Sequence, residues 1–146
     1  MNDTLNATGK LSITLIDEFG YVKDTRYINN IVVLTGKEWI VKRMFNNTTT
    51  TMSHMAVGTS SNDLSMTNTI LSNEIGRTSV TSSKVSNVMT YNATFSPGVA
   101  TGILVEAGIF NASVANTGTM LARTVFSAIN KLAADTLLVE WKITIN

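Results

Sequence analysis

The segment that most constrains the fold is "TLLVEWKITI" near the end of the chain. Leu137, Val139, Trp141, Ile143 and Ile145 alternate with Leu138, Glu140, Lys142 and Thr144. A period of two places successive side chains on opposite faces of a pleated strand. A strand leaves its backbone N–H and C=O groups unpaired until neighbours supply partners. This segment therefore requires a sheet, with one face of that sheet buried.

The same period recurs upstream. In "VMTYNATF", Met89, Tyr91, Ala93 and Phe95 share one face, and Thr90, Asn92 and Thr94 the other. In "GILVEAGIF", Ile103, Val105, Ala107 and Ile109 share one face, and Leu104, Glu106, Gly108 and Phe110 the other. "RTSVTSSKVS" reads as a polar strand, "TMLARTVF" as an apolar one, and "SAINKLAAD" as a loop. Leu11, Ile13 and Leu15 alternate with Ser12, Thr14 and Ile16; Asp17 to Gly20 makes a turn and Tyr21 to Tyr27 returns as the second strand of a hairpin. A short apolar strand is expected around Met55 to Val57. Pro97, the only proline, breaks a strand.

One stretch departs from this texture. "TGKEWIVKRMF" has Thr35 and Glu38 at capping-box spacing, with Ile40/Met44 and Val41/Phe45 four apart. This predicts a short helix over residues 36–45, packed on the sheet of its own domain. "NTILSNEIG" predicts a turn or two of helix ended by Gly76.

The chain then reads as one mainly β domain over 1–146. It has an extended N-terminal arm at 1–10, a hairpin at 11–35, the helix, and a β body at 52–146. Strands spaced by turn residues indicate an antiparallel sandwich or barrel. Thr, Ser and Asn make up 50 of 146 residues. Solubility thus rests on hydroxyls and amides, and the Asn-x-Ser/Thr triplets at Asn6, Asn46, Asn47, Asn92 and Asn111 follow from that abundance. Net charge is only +1 and charged residues are 14%, so no basic stripe for nucleic acid is present. No apolar run is long enough for a membrane-spanning helix, and the first ten residues lack the pattern of a signal peptide.

Chemistry-bearing residues are few. The absence of cysteine excludes thiol catalysis and thiolate metal sites. His54 is the single histidine, so no cage of several imidazoles forms within one chain. Its default role is a hydrogen bond to backbone. Glu106 and Glu140 are mid-strand carboxylates of the kind a glycosidase pairs across a cleft. A mid-strand Glu more often meets a cation, and Arg77, Arg123 and Lys142 are the candidates. Gly58, Gly102 and Gly108 suggest bulges or close crossings. A carbohydrate-binding sandwich would want aromatics exposed in a groove, whereas Trp141 alternates into an apolar face. No catalytic, cofactor-binding or metal-binding residue is assigned.

The order "MSHMAVGTSSND", "LSNEIGRTSVTS", "YNATF", "GILVEAGIFNA", "GTMLARTVFSAINK", "DTLLVEWKITI" resembles a family of tailed-phage virion proteins. The likeness covers about two thirds of the chain. Matching positions are Gly58, Glu74, Arg77, Glu106, Gly108, Phe110, Arg123, Lys131, Asp135 and Trp141. "NNTTTT" replaces a Gly/Ala-rich loop. The family is similar to capsid cement or decoration proteins of cyanophage type. The resemblance implies a jelly-roll-like fold, a homotrimer on the capsid exterior, the major capsid protein as partner, and no enzymatic activity, cofactor, nucleic acid or membrane. It also leaves open a tail or fibre component that contacts other tail proteins. Glu106, Arg77, Arg123, Gly108, Glu74 and Trp141 are then structural residues, with Glu106 accepting from Arg77, Arg123 or a backbone turn.

Overall fold

A computed structural model describes residues 4–46 and 48–146. The elements in chain order are β1 (Ala7–Ile16), β2 (Val22–Val32), α1 (Leu34–Phe45), β3 (His54–Gly58), β4 (Glu74–Val85), β5 (Val88–Phe95), β6 (Gly102–Phe110), β7 (Met120–Lys131) and β8 (Thr136–Ile145). Of the two expected forms, sandwich and barrel, the chain takes the barrel. Eight antiparallel strands close in the order β1-β2-β7-β6-β3-β4-β5-β8. Closure in this order gives every strand a neighbour on both sides.

The alternating segments account for the interior. β8 lies between β1 and β5, with Leu11 and Tyr91 opposite Trp141, Ile13 and Ala93 opposite Val139, and Leu15 and Phe95 opposite Leu137. These nine side chains form three rows, all buried in the main core. Each large apolar side chain so buried contributes about 1.5–3 kcal/mol. The Trp141 indole N–H donates to Asn30 Oδ1 at 2.8 Å, a partner on β2.

β4 changes neighbours along its length: His54 to Gly58 pair with its first half, and Val88 to Ala93 with its second. The seam between β2 and β7 is short, only Ile31–Arg123 and Val32–Ala122. Farther along, Arg26 bridges it by donating to the Ser127 carbonyl at 3.1 Å and its hydroxyl at 2.7 Å.

Several expectations are corrected. Ala7–Lys10 belong to β1 and pair with β2 and β8, so the arm does not extend to residue 10. Residues 1–3 of that arm, and Asn47 of the polar loop, lie outside the described residues. The stretch around Asn68 to Asn73 is irregular, not helical, and Gly76 lies inside β4 opposite Val57. Pairing with β6 extends β7 through Lys131, so only the end of "SAINKLAAD" is a turn.

On β6 the alternation slips. Leu104 faces Ile129 but Glu106 faces Val125, so β7 carries two extra residues at this point. The bulge shifts the side-chain phase. Leu104, Ala107 and Ile109 are buried in the core, while Ile103 is 57% exposed.

The helix begins at Leu34, and no capping box forms: its N-cap, Val33, makes no side-chain bond. Thr35 lies within the first turn, and its hydroxyl donates instead to the Met120 carbonyl at 2.9 Å. Only Gly36 is fully buried. Trp39 and Ile40 pack against the core, whereas Val41, Met44 and Phe45 point into solvent. The helix therefore covers one mouth of the barrel with a single narrow face.

Candidate functional site

The strand register gathers most of the pattern residues onto one patch of the barrel's outer surface. Along one row, Arg77 on β4 lies opposite Ala56 on β3, Ala56 opposite Gly108 on β6, and Gly108 opposite Arg123 on β7. The adjacent row runs Glu74, Gly58, Glu106, Val125. Two cations and two carboxylates thus flank a centre of small residues. Into that centre fold Leu71 and Phe110, which join Val33, Ala56 and Met120 in a second small core outside the barrel.

The space there is tight, most of all at Gly58. A Cβ on Gly108 would lie 3.0 Å from the Phe110 ring and 3.1 Å from a Leu71 methyl. A Cβ on Gly58 would collide with the Asn73 carbonyl and lie 2.9 Å from the Glu106 side chain.

Glu106 is fully buried and accepts from three backbone amides of the loop between β3 and β4. Its Oε1 takes the Ser72 N–H at 2.7 Å; its Oε2 takes those of Ser60 and Asn73, each at 3.1 Å. Arg123, also fully buried, reaches Oε1 at 3.4 Å. It also donates to the carbonyls of Asn62 and Asp63, to Asn68 Oδ1 and to Ser72 Oγ. One carboxylate and one guanidinium therefore pin the whole 59–73 loop. They do so by opposite polarity: the carboxylate takes its N–H groups and the guanidinium its oxygens.

Arg77 pairs with Glu74, not with Glu106. The contact is bidentate, Nε to Oε2 at 2.9 Å and Nη2 to Oε1 at 2.7 Å. The third nitrogen donates to the carbonyls of Ala112 at 2.8 Å and Thr117 at 3.1 Å. The same guanidinium stacks 4.0 Å from the Phe110 ring centroid. This fork ties the 111–119 loop to β4 by charge-assisted hydrogen bonds.

The remaining pattern residues lie elsewhere. Trp141 is inside the barrel. Lys131 and Asp135 are buried at the mouth opposite the helix, where Lys131 donates to the Ser96 carbonyl at 3.1 Å. Asp135 accepts from Lys23 at 2.7 Å and from the Leu132 N–H at 2.9 Å. The Lys23 hydrogen bond holds the Asp135 carboxyl below its usual range, and burial pushes the Lys131 ammonium down.

The carboxylate pair considered for glycoside chemistry is not assembled. β6 and β8 occupy opposite positions in the eight-strand circuit. Glu140 is exposed and lies 3.5 Å from Lys142. His54 Nδ1 bonds at 2.8 Å to the hydroxyl of its chain neighbour Ser53 rather than to backbone. Burial, with the nearby Arg77 charge, lowers the His54 pKa. Among the described residues no carboxylate orients the other ring nitrogen, as a catalytic triad requires. Nor do three His, Asp or Glu side chains among them converge to hold a metal ion.

Some contributors carry no sequence signal. Asn30, the partner of Trp141, is 111 positions away. The amides that bind Glu106 belong to ordinary Ser and Asn residues, indistinguishable from many others in the chain.

Searches against family models, curated proteins and solved structures find no match to this chain.

Proposed function

We propose that this chain is a non-enzymatic structural protein of a phage virion, a cement or decoration protein that assembles in many copies on the capsid. The observation that carries the reading is the display of large apolar side chains at the two ends of a rigid barrel. Leu5, Val41, Met44 and Phe45 are 62–84% exposed beside the helix. Phe19, Tyr21 and Val22 are 61–76% exposed at the tip of the β1–β2 hairpin. β1 runs ten residues between these ends, about 33 Å of extended chain. Exposed apolar groups gathered in this way mark interaction surfaces.

The polar patch supports the same reading. Its Arg and Glu side chains are consumed in fixing two loops, so the loops present defined shapes to a neighbour. Weak contacts repeated over many symmetric copies add to a firm hold on a shell. A closed cyclic oligomer, a trimer, is the assembly proposed.

Light scattering after size exclusion tests the oligomer, with a trimer expected. Incubation with expanded capsids tests the partner, with retention and a higher shell melting temperature expected. A monomer at micromolar concentration that ignores expanded capsids overturns the reading. Quantitative mass spectrometry of virions decides between shell and tail: hundreds of copies mark the shell, a few tens at most the tail.

A further inference from the structure

Between α1 and the barrel mouth lies a cavity of about 380 Å³, within the ordinary range for small-molecule sites. Its wall is apolar, formed chiefly by Met89, Leu121 and Ile143 from the barrel, Met52 from the segment leading into β3, and Ile40 from the helix. Trp39 and Arg43 stand at its helical side.

Two features give it polarity. Tyr91 is 3% exposed and lines the cavity, and its hydroxyl makes no hydrogen bond among the described residues. The hydroxyl oxygen itself is not sealed off but reaches the open space of the cavity, where it can bond a ligand. Arg43 is the only charged side chain among the described lining residues, which include no carboxylate. Its guanidinium is set in place by the Thr49 carbonyl at 2.8 Å and by the Trp39 ring, 5.9 Å from the centroid. The Trp39 N–H is already donated to the Thr50 carbonyl at 2.8 Å.

The geometry points to a binding site for a small amphipathic anion, a monocarboxylate with an unbranched apolar body, its tail on the methionine and isoleucine wall and its head on Arg43 and Tyr91. Burial pushes the Tyr91 hydroxyl up to about 12, against the opposing pull of Arg43. The phenol thus remains a donor at neutral pH, suited to an acceptor head group. A cationic head would meet Arg43 with no counter-charge. This site is independent of the proposed capsid role: failure of either leaves the other standing.

The test uses the purified full chain and octanoate, followed by calorimetry and by amide chemical shifts. Saturable one-to-one binding is expected with a Kd of about 1 mM or tighter. Shifts should centre on Arg43, Met52, Met89 and Tyr91. Octylammonium should bind at least about tenfold more weakly, because it forfeits the charge-assisted contact. Tyr91→Phe, which keeps the packing, and Arg43→Gln should each weaken octanoate several-fold while leaving octanol binding unchanged. Melting curves of both variants establish that they are folded. The inference is overturned if octanoate shows no saturable binding at 5–10 times about 1 mM. It is equally overturned if octylammonium binds as well as octanoate, or if both folded variants bind octanoate as the parent does.

Discussion

Replacing Glu106 with Gln changes one oxygen to an amide group and almost nothing in size. The structure makes even this change costly. Oε1 accepts from Ser72 and Arg123, and Oε2 accepts from Ser60 and Asn73. Whichever oxygen becomes NH₂, two donors then face a donor, so flipping the amide gives no escape. Arg123 also loses its buried counter-charge. Breaking a buried pair from one side costs about 3–5 kcal/mol. For a domain of this size each kcal/mol moves Tm by about 2–4 °C, so a fall of about 6–20 °C is expected. Hydrogen exchange adds a local readout: the Ser60, Ser72 and Asn73 amides should lose protection before the β5–β8–β1 amides do. Pairing Glu106→Gln with Arg123→Met supplies a cycle in which the double variant is less destabilised than the sum of the singles. A Tm within about 2 °C of the parent, equivalent to under about 1 kcal/mol, with the three amides still protected, would refute the loop-pinning argument.

Arg77→Lys removes the bidentate geometry and the Ala112 and Thr117 contacts together; a loss of about 2–4 kcal/mol in denaturant melts is expected, with exchange rising in 111–119. In Gly36→Ala the new Cβ would collide with the Leu121 carbonyl. Helix α1 should then lift from the barrel mouth, read as a red-shifted, more quenchable Trp39. Tyr91, held near 12, stabilises the fold fully below pH 10, and this contribution falls as pH rises from about 10 to 12 because the unfolded phenol ionises first. The parent should therefore lose stability relative to Tyr91→Phe across that window, measured by urea melts. Asp135 has the opposite sign: its lowered folded pKa gives stability present above about pH 4 and lost as pH falls further. Asp135→Asn should flatten that part of the acid-melting curve.

The strands with a clean period of two were legible because their signal is local. Alternation in "TLLVEWKITI" and "VMTYNATF" names the inward face without knowledge of any neighbour, and those faces are the ones buried in the barrel. The helix was legible for a similar reason, though not its cap, since Thr35 is recruited by a carbonyl 85 positions away. The phase of β6 was not legible, because the bulge arises from surplus residues on β7, a different segment. Glu106, Arg77, Arg123 and Glu74 stood out singly as charges set in strands. Which carboxylate meets which guanidinium depends on register across four strands, a property no window of sequence contains. The cavity under α1 is farther still from the sequence, since Arg43, Tyr91 and Leu121 meet only after the barrel closes. Sequence alone determined a β protein with an apolar interior and a few misplaced-looking charges. Tertiary structure decided that the sheet closes, that those charges fasten loops, and that one barrel mouth stays partly open, because each depends on contacts between distant segments.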